Sequence, residues 1–94
     1  MSDKDQLDKQ KHEALTIMME ECSEVIKACS KIIRFGQVTN AANLAKELGQ
    51  VLAMLAVLKH AGIITDEAEL FAAAHEKFDS LKEFSNIPYI WLRE

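Results

Sequence analysis

The segment "NLAKELGQVLAML" (Asn43–Leu55) is mostly apolar, yet it keeps Glu47 and Gln50 three residues apart with Gly49 between them. At 3.6 residues per turn, Asn43, Glu47, Gln50 and Met54 fall within about 60° of one another on a helix, as one narrow and mostly polar stripe. Leu44, Leu48, Val51, Leu55 and Leu58 form a seam, while Ala45, Leu52, Met54 and Val57 cover much of the remaining surface. So broad an apolar surface needs neighbours on several sides, more than three helices of one short chain supply. The expectation is a helix placed centrally in a homodimer or larger bundle.

Working outward, Leu15, Met18, Cys22, Val25, Cys29 and Ile32 recur at threes and fours, the spacing of an amphipathic helix that should end near Gly36. The second helix is expected to begin after Thr39 or Asn40, either of which can cap it, and to run to about Ala61 before Gly62. A third follows Thr65, where "TDEAE" offers a cap and an acidic first turn, and should carry Phe71, Ala74, Phe78 and Leu81 inward. The fold class predicted is all-α: an antiparallel bundle with three main helices, at about 4–35, 40–61 and 66–84, in a single domain. A polar lead (1–11) is free to fray or to extend the first helix. The tail (85–94), with the only proline, tyrosine and tryptophan, should dock as an irregular strap or short turn.

Composition narrows the function classes. Only three glycines and one proline in 94 residues leave few breakers of the kind that punctuate sheets and long loops. A formal charge of −4 provides no basic field for a phosphate backbone, so nucleic acid is not an expected partner. No signal-like segment opens the sequence, and the longest strongly apolar run, Val51 to Leu58, is far short of a membrane span. The expectation is a soluble, cytoplasmic protein with no membrane partner. Cys22 and Cys29 stand two turns apart on one helix face, without a nearby histidine to complete a ligand set, and read as reduced core residues.

The acids carry the chemistry. A buried carboxylate costs several kcal/mol unless it is paired or binds a metal. In "EECSE" (Glu20–Glu24), Glu21 and Glu24 lie one turn apart, whereas Glu20 points farther from the apolar face. If the first two helices pack antiparallel, Glu21, Glu24 and Glu47 converge, and a divalent cation would relieve their repulsion. Oxygen donors without cysteine or histidine suit magnesium, with manganese as a substitute, and Gln50 adds a neutral oxygen. The bland alternative stays open, since such acids occur on many solvated helix faces and Lys27 and Lys46 can pair with Glu24 or Glu47. That alternative explains Glu20 better than Glu47.

"EECSEVIKACSKIIRFG" (20–36), a short linker and "NLAKELGQVLAMLAVLKHAGII" (43–64) resemble the MazG-like nucleotide pyrophosphohydrolases of the all-α NTP pyrophosphatase superfamily. The resemblance runs from about Leu15 to Phe84 and includes "RFG", the asparagine ahead of the second acidic block, and "GII". It implies a dimer, or dimer of dimers, that hydrolyses a nucleoside triphosphate to the monophosphate and pyrophosphate. It also implies magnesium held at four positions, here Glu21, Glu24, Glu47 and Gln50, the three glutamates being catalytic as well. The family normally has aspartate where Gln50 stands. Glutamine ligates through its carbonyl oxygen but cannot act as a base, so activity is expected to be reduced, redirected or absent. Glu20 is the nearest candidate for a compensating acid.

Substrate contacts are less sharply marked. Lys27 and Arg34 can meet phosphates or remain in solvent and ion pairs, and Asn43 can read a base or sugar or tie the metal ligands. Trp91 and Tyr89 can stack on a base or anchor the tail. His12, His60 and His75 fall on separate segments or faces, and neither Ser23 nor Ser30 has a histidine placed as its base. The functional expectation is magnesium-dependent triphosphate pyrophosphohydrolysis. The alternative is a MazG-like protein of weakened or lost catalysis, binding nucleotide or serving as an oligomeric interaction module.

Overall fold

A computed structural model describes residues 7–93 of the chain. They form three helices, α1 (Lys9–Phe35), α2 (Ala41–His60) and α3 (Glu67–Phe84), followed by a 3-10 turn at Tyr89–Trp91. Among the described residues there is no strand, so the all-helical expectation holds. The start of α1 differs from the sequence reading: Asp8 is its N-cap, accepting a bond from the Lys11 amide at 2.8 Å. The helix therefore begins after residue 8, and residues 9–11 of the expected lead belong to it, while residues 1–6 lie outside the described part.

Glycine ends α1 as anticipated. Gly36 takes φ +97°, a left-handed value that favours a residue without Cβ, and its N–H donates to the Ile32 carbonyl. Asn40 behaves differently from a conventional N-cap, because its amide donates backwards to the Gly36 carbonyl (2.8 Å) and to Thr39 Oγ1 (3.0 Å). It ties the end of α1 to the start of α2 and makes no side-chain cap bond to α2. At the far end Gly62 has φ +76°, and the amides of Ile63 and Ile64 both reach the Leu58 carbonyl.

The chain divides into two compact units after Ile64. In the first, α1 and α2 form an antiparallel hairpin: Lys11 and Ala14 line a cleft with Val57 and His60, and Ile17 and Glu21 line another with Gln50 and Met54. Ala14 and Ala28 on α1 and Leu58 on α2 are buried, with Leu44, Val51 and Leu55 half-buried. Small side chains let the helix axes approach closely, and this corrects the expected inward row. Cys22 and Cys29 are exposed free thiols, and Leu48 is exposed. The inward face of α1 passes through alanines one position before Leu15 and Cys29, about 100° away from the cysteines.

In the second unit, Asp66 rather than Thr65 caps α3, accepting from the Ala68 amide at 2.9 Å. Phe78 and Leu81 are half-buried, but Phe71 and Ala74 are exposed, contrary to expectation, and Leu70 is half-buried instead of its aromatic neighbour. Ser85 closes the helix through a 2.6 Å bond to the Leu81 carbonyl. The tail then turns so that Leu92, its one buried residue among those described, lines a cleft with His75, Phe78 and Lys82. Tyr89 and Trp91 are exposed, with the Tyr89 hydroxyl donating to the Lys82 carbonyl at 3.4 Å, so an aliphatic side chain and one aromatic hydroxyl tie the strap to α3.

By length and composition α2 is apolar enough to cross a membrane, a property missed when only its longest unbroken apolar run is measured. The same composition suits a bundle helix with neighbours on several sides. Gly49 sits inside α2 with nothing within 4 Å of where a Cβ would stand. Gly49→Ala is expected to stabilise the protein by about 0.5–1 kcal/mol, by lowering the entropy of the unfolded chain without a clash. Chemical denaturation of the two proteins side by side measures this.

Candidate metal and nucleotide site

The antiparallel hairpin sets Glu21 of α1 against Gln50 of α2, and continuing that register places Glu24 at the level of Glu47. Turned with its nitrogen toward the acids, the Gln50 amide donates to Glu21 Oε2 at 2.8 Å and to Glu47 Oε2 at 2.9 Å. Carboxylate oxygens only accept, so these partners fix the amide orientation. Together the two bonds hold both carboxyl groups against one donor group. Glu21 and Glu47 are half-buried, while Gln50 is exposed at the mouth of an open cleft of about 230 Å³ lined also by Ile17, Ala53 and Met54.

Three of the four residues expected to gather are thus brought together across the hairpin. Glu24 is half-buried but engaged elsewhere, since Lys27 Nζ lies 3.3 Å from its Oε1. This is the ion pair weighed as the bland alternative for Lys27. Among the described residues no group of three or more histidine, cysteine, aspartate or glutamate side chains is placed to hold a metal. The donor set that does fit a hard cation is Glu21, Glu47 and the Gln50 carbonyl. In octahedral magnesium, with bonds of about 2.0–2.1 Å, adjacent ligand oxygens stand about 3 Å apart. A half-turn of the Gln50 amide would put an oxygen at that spacing from both carboxylates.

The remaining candidates are dispersed. Glu20 is exposed, its carbonyl accepting from Ser23 Oγ at 2.7 Å, and takes no part in the cluster. Arg34 is exposed, with its guanidinium 5.0 Å over the Phe35 ring near the turn. Asn43 is half-buried on α2, one turn before Glu47. Trp91 belongs to the second unit and is exposed. Sequence reasoning missed the bridging role of Gln50 because an aspartate position invites a ligand reading, while the amide's capacity to donate belongs to glutamine alone.

Gln50→Leu, which leaves both carboxylates without their shared donor, is expected to cost about 1 kcal/mol in denaturant unfolding without added divalent cation. Lys27→Ala removes an exposed pair and should cost no more than about 1 kcal/mol in the same measurement. Comparison of the chain with protein-family models, curated proteins and solved structures yields no match, so the functional reading rests on these residues.

Proposed function

We propose that the chain is a cytoplasmic, magnesium-dependent nucleoside triphosphate pyrophosphohydrolase of the MazG-like kind, working as a homo-oligomer in nucleotide-pool housekeeping. One observation carries the reading: Glu21, Glu47 and Gln50, from the two motif segments, meet across the α1–α2 hairpin within hydrogen-bond distance. Oxygen donors of this kind on the wall of an open cleft suit a hard cation and the phosphates it would accompany. Glu21, Glu47 and the Gln50 carbonyl would hold magnesium, with manganese able to replace it. When bound, the cation neutralises charge developing on phosphate oxygens.

The chain's own residues supply the rest. Glu24, released from Lys27, becomes a carboxylate able to accept the proton of an attacking water, and Lys27 becomes a cation able to meet a phosphate. Asn43, one turn from Glu47 on the same stripe, is positioned to orient that carboxylate or a sugar hydroxyl.

A second reading is favoured by the amide bridge itself: a nucleotide-binding or interaction module of weakened catalysis. Gln50 as donor gives Glu21 and Glu47 a shared hydrogen-bond partner without a metal, and Glu24 is already paired.

Pyrophosphate release from deoxy- and ribonucleoside triphosphates with magnesium or manganese, beside Glu47→Ala, separates the two. Hydrolysis is expected, with Glu47→Ala lowering it by about 100-fold or more, the scale of losing a group that supports transition-state charge. Nucleotide binding without release would select the second reading. Gln50→Asp is expected to tighten magnesium binding and raise turnover; unchanged values for both would remove Gln50 from the metal shell.

A further inference from the structure

The closed end of the α1–α2 hairpin turns large apolar side chains to solvent: Ile33 is 85% exposed, Phe35 68% and Val38 97%. Ile33 and Phe35 belong to the last turn of α1, and Val38 to the connection that follows. The backbone beneath them is bonded to itself. The Gly36 amide donates to the Ile32 carbonyl at 2.8 Å, and the amides of Asn40 and Ala41 both donate to the Gln37 carbonyl, at 3.1 and 2.9 Å. A turn closed by its own bonds presents Val38 at the apex.

Charge follows the same end. Between Glu24 and Glu47 the sequence has four cations, Lys27, Lys31, Arg34 and Lys46, and no acid, a local excess that the net charge of −4 conceals. Lys27 is taken up by Glu24, 3.3 Å away, but Lys31 and Arg34 are exposed and closer to the apex. By helical rise Lys31 lies about 6 Å below Phe35, whereas Glu24, with Glu47 at its level, lies about 16 Å below. Screening acts over about 8 Å at physiological ionic strength, so these acids do not cancel the field at the apex. The Arg34 guanidinium, 5.0 Å over the Phe35 ring, joins the two properties in one contact.

An apolar apex flanked by cations is suited to an anionic lipid surface. Apolar side chains enter the boundary between headgroups and acyl chains, while the long stems of Lys and Arg let their charges stay among the phosphates. A hairpin end about 20 Å across is convex, and a lipid surface conforms to it where a folded partner would need a matching hollow. Nucleic acid fits less well, because Ile33, Phe35 and Val38 have no side-chain donors to set against its phosphates.

We propose that the closed end of the hairpin docks reversibly on an anionic lipid surface, with Ile33, Phe35 and Val38 entering the headgroup boundary and Lys31 and Arg34 meeting the lipid phosphates. Such a contact needs no membrane span, and it combines the two signals that surface anchoring draws on, apolar burial and basic charge. Glu21, Glu47 and Gln50 lie farther down the hairpin and remain in water, so the contact stands whether or not nucleotide is hydrolysed.

The test is co-sedimentation of the full chain with phosphatidylcholine vesicles, with and without phosphatidylserine. Binding should require phosphatidylserine, weaken as salt is raised, and fall about five-fold in Lys31→Gln, the scale of one cation near such a surface. Val38→Asp should abolish it with helicity retained, since that side chain touches little of the protein. Lys77→Gln removes the same charge from an exposed position on α3 and should leave binding unchanged. In a Trp91→Phe background, Val38→Trp should shift its fluorescence to the blue when phosphatidylserine vesicles are added. Four results would each overturn the proposal: no sedimentation with either vesicle, equal loss in Lys31→Gln and Lys77→Gln, full binding by Val38→Asp, or no blue shift from Val38→Trp. A smaller light-scattering mass for Val38→Asp without lipid would overturn it too, by showing that a second copy covers the apex. Pyrophosphate release from the same variants should be unchanged, which separates this outcome from that of the catalytic reading.

Discussion

The contact of the Gln50 amide with Glu21 and Glu47 spans α1 and α2 at the middle of the hairpin, and the register it marks governs what every other residue can do. With Glu21 opposite Gln50, Glu24 falls level with Glu47, and the first turn of α1 falls beside the last turn of α2. The five-residue connection is consistent with this register, because the positive φ of Gly36 and the backward bond of Asn40 let the chain reverse with little slack. A slip of one residue would rotate a helix by about 100° and carry the acids off the shared face.

A two-helix hairpin has a limited interior. Each helix has one neighbour within the unit and can cover only part of its circumference, so the few buried positions are Ala14, Ala28 and Leu58. The apolar residues left over are arranged in rows and not scattered. Glu21 faces Gln50 across the hairpin, while Glu20, Lys27, Lys31 and Arg34 are exposed and Lys27 pairs with Glu24. An interior this small buries a limited share of the chain's surface.

Much of this was legible in the sequence. Gly36, Gly62 and the "TDEAE" segment mark helix ends because positive φ and N-capping are local requirements that residue type alone can meet. The approach of Glu21, Glu47 and Gln50 followed from helical spacing and one antiparallel connection. The face of α1 turned inward was not legible, because two rows with nearly the same three-and-four spacing sit one residue apart. Periodicity cannot choose between them. Close approach of the helices favours the small side chains of Ala14 and Ala28 over the bulkier, more hydrophobic row beside them. The tail forms the expected short turn, but its buried residue is not an aromatic: Trp91 and Tyr89 have more surface to bury than Leu92, yet Leu92 is the residue the turn directs into the cleft beside Phe78.

The amide at position 50 also bears on how the chain reaches its folded state. A cluster built only of carboxylates is under repulsion until a cation arrives, so its folding is tied to metal supply. Here a neutral side chain with a donor at one end and an acceptor at the other satisfies the two acids through its N–H groups while the hairpin closes. The hairpin can therefore close without a cation, with both acids already holding a hydrogen-bond partner.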